Sequence, residues 1–343
     1  MKFTLATSLV ATVAASSSVD TMFAEFKAKH SVSYRSTFEH NRRATIFAAN
    51  VKENSRKNAI LRSKGKDEIH GITKFSDLEQ AEFASMYLGG NWEAKDFPEL
   101  TKFDGNFPVR ATPEGAYNLA DDNLVTAVKD QAQCGSCWAF SATETIESAW
   151  AMAGNPITEF SPQQIVSCDV GNGDYGCSGG MPSTAFEYVI SAGGMATEEA
   201  YPYTSLTGVT GDCTSPLPEL TGGTVTTWAY AQDPCIGSAA ACVEDSEAIA
   251  SAIKSFGGIS IAVDASSFNS YQGGVMTADS CHSEPNFLDH AIQIIGWDTT
   301  GDTPYWIVRN SWAEGWGESG LVRMEMGTNT CGLANYAAMV TAL

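Results

Sequence analysis

Gln131-Ala132-Gln133-Cys134-Gly135-Ser136-Cys137-Trp138-Ala139-Phe140 leads from a polar run into an apolar one. From Cys137 onward, Trp138, Ala142, Ile146, Ala149, Trp150 and Ala153 recur at helical spacing, and Gly154 stops the pattern. This predicts an amphipathic helix with Cys137 in its first turn and Ser136 as its N-cap. Unpaired N–H groups and partial positive charge at a helix N-terminus favour a thiolate over a thiol, so position alone makes this sulfur a nucleophile near neutral pH. Plainer readings stand beside this one. Cys134 and Cys137 form a C-x-x-C, a spacing used by redox pairs and zinc sites, and a helical cysteine can be packed core. No second C-x-x-C completes four zinc ligands, and the strand followed by Trp-Cys-x-Pro-Cys of thioredoxin-type redox sites is absent.

The chain has 343 residues, 43% of them apolar, which is enough core for two or three globular units. Lys2, the apolar run Phe3 to Val13, and Ala14-Ala15 before Ser16 match a secretory leader cleaved after Ala15. That run is too short to span a bilayer, which argues against stable membrane insertion. Nine cysteines behind such a leader predict a disulfide framework, with one thiol, Cys137, left over. Residues 1–112 hold 16 Lys and Arg against 13 Asp and Glu, and residues 113–343 hold 4 against 27. The acidity of the second part argues against a nucleic-acid partner and serves either solubility or pH-dependent release of the first part.

Cys134-Gly135-Ser136-Cys137-Trp138, with Gln131 six residues ahead of Cys137, resembles the active-site segment of the papain-like, cathepsin-type cysteine proteases. Residues 22 to 62 carry Phe23, Phe26, Tyr34, Phe38 and Ile46 in one long helical register. Glu39, Arg43, Phe47, Asn50, Asn54 and Asn58 share one of its faces. The set resembles the E-R-F-N-I-N helix of cathepsin L-type propeptides, with Asn54 in place of Ile. Gly71-Ile72-Thr73-Lys74-Phe75-Ser76-Asp77 is similar to the family's G-x-N-x-F-x-D, with Thr73 for Asn.

The resemblance implies an α+β chain in three parts. Residues 1–15 are a signal peptide, 16–110 a helical inhibitory propeptide running backwards through the cleft, and 111–343 the mature peptidase domain. That domain has the papain-like two-lobe fold, a helical N-terminal lobe and an antiparallel β-barrel-like C-terminal lobe. The resemblance also implies the disulfides Cys134–Cys177, Cys168–Cys213 and Cys281–Cys331. Cys235 and Cys242, which bracket a small-residue loop, are left to pair with each other. Residues 88–112, with several Gly and Pro, read as a linker cut on maturation. Residues 221–246 match the family poorly, and the Cys235–Cys242 segment reads as a surface insertion.

Two histidines occur in the mature part. His282 follows Cys281, whereas His290 opens the strand-like Leu288-Asp289-His290-Ala291-Ile292, similar to the family's catalytic-histidine segment. Strand-like runs at 259–263, 290–297, 305–310 and 320–326 follow the helical half. A hairpin centred near residue 300 makes paired residue numbers total about 600, which places Asn310 opposite His290. Asn310-Ser311-Trp312 resembles the family's Asn-Ser-Trp.

By resemblance, Cys137 is the nucleophile, His290 its base and acid, and Asn310 the residue that orients the ring. Gln131 and the Cys137 N–H hold the oxyanion. Gly179, Gly180, Met181, Pro182, Leu288, Asp289, Ala291, Trp312 and Tyr336 bind substrate. Tyr336 floors the P2 pocket, which favours Leu, Val or Pro over Arg or Phe. Ala132 and Ala313 stand where these motifs usually have glycine. No metal or other cofactor is implied. The implied partners are polypeptide substrates, the chain's own propeptide as intramolecular inhibitor, and cystatin-like inhibitors, around a monomer. The implied route is the secretory pathway, to a lysosome- or vacuole-like compartment or the exterior. Acid is expected to loosen the propeptide by protonating carboxylates such as Asp77 and Glu39.

Overall fold

The computed structural model describes residues 18–89, 106–171, 173–235 and 240–342, so the expected leader at 1–15 lies outside it. Helix α1 (Val19–Lys29) starts where Ser18 Oγ accepts from Thr21 N, and α2 (Thr37–Ser63) where Ser36 Oγ accepts from Glu39 N. The single helical register expected over 22–62 is therefore broken: residues 30–36 turn the chain, with Ser31 at φ 54° and the Ser36 cap restarting the helix. Phe23, Phe26 and Phe47 close the core between the two helices, while Phe38 is exposed.

A second face of α2 organises the irregular segment that follows. Arg43 donates to Glu39 (2.7 Å) and Glu82 (2.9 Å). Asn50 Nδ2 donates to Ser76 O and Leu78 O, Asn54 Nδ2 to Gly71 O, and Asn58 exchanges two hydrogen bonds with the backbone of His70. These amides satisfy backbone groups that have no ladder or helix to join, so Asn54 bonds where an isoleucine would only pack. The segment ends in α3 (Gln80–Tyr87), opened by a Glu79–Glu82 capping box.

The remaining chain runs through β1 (Ala116–Asn118), α4 (Cys137–Met152), α5 (Pro162–Cys168), the ribbon β2 (Val170–Gly171) and β3 (Asp174–Tyr175), and α6 (Pro182–Ala192). Then come β4 (Thr227–Tyr230), α7 (Ser246–Phe256), β5 (Ile259–Val263), β6 (Val275–Met276), β7 (His290–Asp298), β8 (Tyr305–Arg309), β9 (Leu321–Glu325) and β10 (Ala337–Ala342). The sheet order is β4-β10-β5-β7-β8-β9-β6, with β1 beside β7. Its pairings are antiparallel except β6 with β9, which is parallel. β4 falls within 221–246, the region expected to be peripheral, yet Trp228, Ala229 and Tyr230 are buried and pair with β10. Four disulfides join Cys134 to Cys177, Cys168 to Cys213, Cys235 to Cys242 and Cys281 to Cys331.

Helix α4 departs from the amphipathic expectation because it is buried on its polar face too. It is wedged between α5 and α6 on one side and β5, β7 and β10 on the other. Four of its buried polar residues find partners, while the Thr143 and Thr145 hydroxyls do not. Ser141 Oγ donates to Ile292 O (2.8 Å), Ser148 Oγ accepts from Gly258 N (2.8 Å), Glu147 meets Lys129 (3.0 Å), and Glu144 faces Arg309 (3.5 Å). The expected linker at 88–112 is also shorter than its composition suggested. Val109 N–H and Ala111 N–H donate to Ser255 and Ser251 of α7, and Leu88 and Gly89 sit against the Cys137 region.

Ala132 and Ala313 both adopt left-handed backbone, at φ 51° and 63°. A Cβ costs about 1–2 kcal/mol there, partly offset by the greater unfolded-state freedom of glycine. Ala132→Gly and Ala313→Gly are each expected to stabilise the intact chain by up to about 1 kcal/mol in urea unfolding. Unchanged or lower midpoints would show that neither site is strained.

Candidate active site

Cys137 opens α4 and is the only free cysteine; it is fully buried. Cys134 is tied to Cys177, so the C-x-x-C is not a redox pair. Ser136 occupies the N-cap position without capping: its Oγ bonds Tyr203 Oη (2.9 Å), and the Tyr203 hydroxyl donates to Gln131 O (2.8 Å). The first-turn amides of α4 are thereby left for another acceptor. The Cys137 sulfur lies against the backbone amides of Trp138, of Ala291 in β7, and of Gly89.

His290 is fully buried at the start of β7, and its Nε2 donates to Asn310 Oδ1 (2.8 Å). The same oxygen accepts from Ser311 N, which fixes the orientation of the Asn310 amide and the tautomer of the ring. Nδ1 is left without a protein partner. The β7–β8 ladder runs two to three residues off the expected register, with Gln293 facing Arg309 and Asp298 facing Tyr305. An irregularity between Ile294 and Gly296 brings it from three residues off near the turn to two at the far end. Asn310 therefore lies beyond the ladder and not directly opposite His290, and side-chain length closes the gap. Trp312 stacks on the imidazole, with centroids 4.6 Å apart.

Gln131 Oε1 accepts from Ser311 Oγ, and its Nε2 donates to Cys134 O (2.8 Å) and to Tyr87 O (3.0 Å). Tyr87, Leu88 and Gly89 thus lie over the site. Gly89 N–H donates to Asp289 O (2.9 Å), and a Cβ on Gly179 would collide with Gly89 O. Phe75, Phe83 and Tyr87 pack edge-on against Trp312. Met181, Leu288, Ala291 and Tyr336 join Cys137 in one buried cluster, and Pro182 is buried at the start of α6. Gly180 has no room for a side chain between Asp174 and Trp138. His282 stands apart, paired with Asp264 (2.8 Å) and stacked on Phe287.

Burial pushes the Cys137 thiol up to about 12 and the His290 imidazole down to about 4. The covered site at neutral pH therefore holds a thiol and a neutral imidazole, in contrast to the thiolate expected from helix position. Loss of solvent outweighs the helix N-terminus. Asp289 is pushed up to about 7 by burial and by Asp264. The N-terminal helical unit also holds the rest of the chain by charge: Lys64 pairs with Asp279 (3.0 Å), Lys66 with Glu325 (3.2 Å) and Lys74 with Asp130 (3.5 Å). Asp77 and Glu39, the carboxylates expected to make such links, instead bond Tyr34 and Arg43 inside the helical unit.

Sequence reasoning missed the support behind the site. Glu144 and Arg309 meet at its back, where burial pushes Glu144 up to about 7 against the pull of Arg309. The readable signal was Arg309 itself, one of four basic residues in the last 231, lying in an apolar strand. His70 was missed too. Its Nδ1 bonds Ser270 (2.8 Å) at the contact between the helical unit and the sheet.

Residues 115–341 match the model of the papain family cysteine proteases, and residues 23–83 that of the cathepsin propeptide inhibitor domain. Cysteine proteinase 2 of Leishmania pifanoi is 38% identical over 323 residues, covering 92% of this chain and 67% of that protein. The thiol protease aleurain of Arabidopsis thaliana is 34% identical over 320 residues, covering 92% and 82%. Digestive procathepsin L 3 of Tenebrio molitor larval midgut superposes with a TM-score of 0.78 at 28% identity, covering 96% of this chain and 100% of that one. Recombinant stem bromelain precursor does so with a TM-score of 0.76 at 30% identity, covering 94% and 99%. The chain belongs to the papain family of cysteine proteases and carries the cathepsin-type inhibitory propeptide domain ahead of its peptidase domain, so it is a zymogen.

Proposed function

We propose that Cys137, His290, Asn310 and Gln131 carry out peptide-bond hydrolysis in this zymogen once the propeptide leaves. The supporting observation is that Asn310 Oδ1 accepts the hydrogen bond from His290 Nε2–H, which leaves Nδ1 as a bare base in the cleft that holds the free thiol. When water reaches the cleft, the Cys137 proton passes to Nδ1 and the sulfur attacks the peptide carbonyl carbon. Gln131 Nε2 and the Cys137 N–H stabilise the oxyanion, a contribution commonly worth about 3 kcal/mol. His290 protonates the leaving amine, and water then hydrolyses the acyl-enzyme with His290 as base. Gly179, Gly180 and Asp289 offer backbone bonds to an extended substrate. Met181, Pro182, Leu288, Ala291 and Tyr336 form the P2 pocket, and Trp312 shields the His290–Asn310 bond.

Residues 16–110 act as the propeptide and 111–343 as the mature enzyme. Cleavage falls between the cleft-bound Gly89 and Ala111, whose N–H is docked on α7. The zymogen travels the secretory or lysosomal route as a monomer, and cystatin-like inhibitors would compete for the same cleft.

Acid releases the propeptide through His70, which docks against Ser270. Burial, followed by the nearby Lys57, holds docked His70 down to about 4, against about 6.5 for a free imidazole. Between those values a released His70 binds a proton that the docked one does not, so docking weakens as pH falls through the window.

With the matured enzyme, a peptide library is expected to show Leu, Val or Pro preferred at P2 over Arg or Phe. Turnover should be blocked by an epoxide thiol-protease inhibitor and reduced at least about 10⁴-fold in Cys137→Ala. A strong P2 Arg preference would defeat the pocket assignment, and an active Cys137→Ala the mechanism. Intact zymogen at pH 7.5 is expected to resist iodoacetamide, and to yield one thiol when denatured without reductant; two thiols would contradict the bridging. Maturation should run faster at pH 4.5 than at pH 7.5 at one ionic strength, and His70→Gln should narrow that difference. Equal wild-type rates would remove the acid trigger.

A further inference from the structure

The wall of the cleft formed by Gly179, Gly180 and Met181 is held from behind by two acids. Asp174 of β3 is fully buried, and Asp169, the residue that ends α5, is nearly so. Asp174 Oδ1 accepts from Met181 N–H (2.7 Å), and Gly180 leaves just enough room for that carboxyl beside the Trp138 ring. Tyr175 N–H, next along β3, donates to Gly179 O (2.8 Å), and Thr184 Oγ1 donates to Met181 O (2.7 Å). The wall therefore takes its position from β3 and the start of α6.

The other oxygens of the two acids are oddly placed. Asp169 Oδ2 and Asp174 Oδ2 are buried without a hydrogen-bond partner, the Thr184 hydroxyl is near the Asp174 carboxyl, and the two acid side chains lie within hydrogen-bond reach of each other. Two carboxylate oxygens can face one another in a dry site only with a proton between them. We propose that Asp169 and Asp174 share one proton and, in that form, position the Gly179–Met181 wall, so that seating of the substrate residues ahead of the scissile bond weakens when the pair gives the proton up. This rests on reading that wall as part of the substrate cleft.

Burial pushes both carboxyls up; Asp174 raises Asp169 further, while Asp174 itself is held back by Thr184, the Met181 N–H and Asp169. The other titratable groups that sense the pair are Tyr188 of α6 and Tyr336, phenols raised by burial and hence neutral. Among the described residues, no ion pair includes either acid. The proton is thus the only charge compensation on hand, and its contribution is present at acid pH and lost as pH rises through the raised values.

The test compares two substrates of the matured enzyme from pH 5 to pH 9: a tripeptide amide with Leu at P2, and a single-residue ester that lacks P2 and P3. For the wild type, kcat/KM of the tripeptide relative to the ester should fall about fivefold with rising pH, through KM rather than kcat. That is the scale of one ordinary hydrogen bond withdrawn. Asp174→Asn keeps an Oδ1 acceptor for Met181 and supplies N–H groups in place of the shared proton, so its ratio should stay flat, and Asp169→Asn should behave likewise. A flat wild-type ratio overturns the proposal without recourse to any variant. So does an Asp174→Asn enzyme that binds one equivalent of epoxide inhibitor yet keeps the wild-type fall, which would place the titration elsewhere, for example at Asp289. Absence of ester hydrolysis by the wild type would instead sink the reading of Cys137, and this proposal with it.

Discussion

The seating of the first turn of α4 against β7 is the contact on which the site depends. Cys137 and His290 are far apart in sequence, and they meet only because the Cys137 sulfur rests on the backbone of Ala291, next to the imidazole. The helix is fixed there by directional bonds. Ser141 reaches both Ile292 O and Ser260 Oγ, Ser148 holds Gly258, and Glu144 and Glu147 engage Arg309 and Lys129. A purely apolar contact between a helix and a sheet leaves sliding nearly free, whereas these partners are satisfied at one position of α4 along β7. The polar side chains buried in α4 are thus the means by which two lobes with separate apolar clusters hold a sulfur and a ring in register.

Dryness governs the chemistry of that contact. Gln131 Nε2 already holds a carbonyl, Tyr87 O, in the covered state, and Gly89 N–H already bonds Asp289 O. Residues 87–89 therefore present the hydrogen-bonding groups of a peptide to the site. With the thiol raised and the imidazole lowered, the sulfur keeps its proton while those residues exclude water. The covering chain thus acts on the sulfur electrostatically as well as sterically.

Local motifs were the legible part of this sequence. The Cys137 helix, the asparagine face of α2, and the strand that opens at His290 each carry their signal within about twenty residues. What escaped depends on partners distant in the chain. β10 lies between β4 and β5, but nothing in its own apolar run identifies those neighbours, and four-residue β4 is too short to show alternation. The register of β7 on β8 was miscounted because the turn between them is centred between residues 301 and 302, not near 300. The break between α1 and α2 was hidden because no Pro or Gly marks it. Nothing local marks Glu144, Glu147 and Asp174 as buried, since their burial is decided by what packs over them.

The uneven charge of the sequence acquires a structural meaning from these contacts. Among the described residues, the three ion pairs that span the boundary each put a lysine on the helical unit and a carboxylate on the peptidase domain. His70 makes that docking sensitive to acid, because its docked form resists the proton that its free form accepts. Inside the peptidase domain the sign reverses. Glu144, Asp169, Asp174 and Asp289 are all raised by burial, so the folded domain binds protons more readily than the unfolded chain does, and it gains stability as pH falls towards the ordinary carboxylate range. One change of pH thus separates two things that neutral pH holds together: it loosens the docking of the propeptide while tightening the enzyme beneath. An enzyme whose buried acids were all salt-bridged and depressed would lose its fold over the same range in which it had to be released.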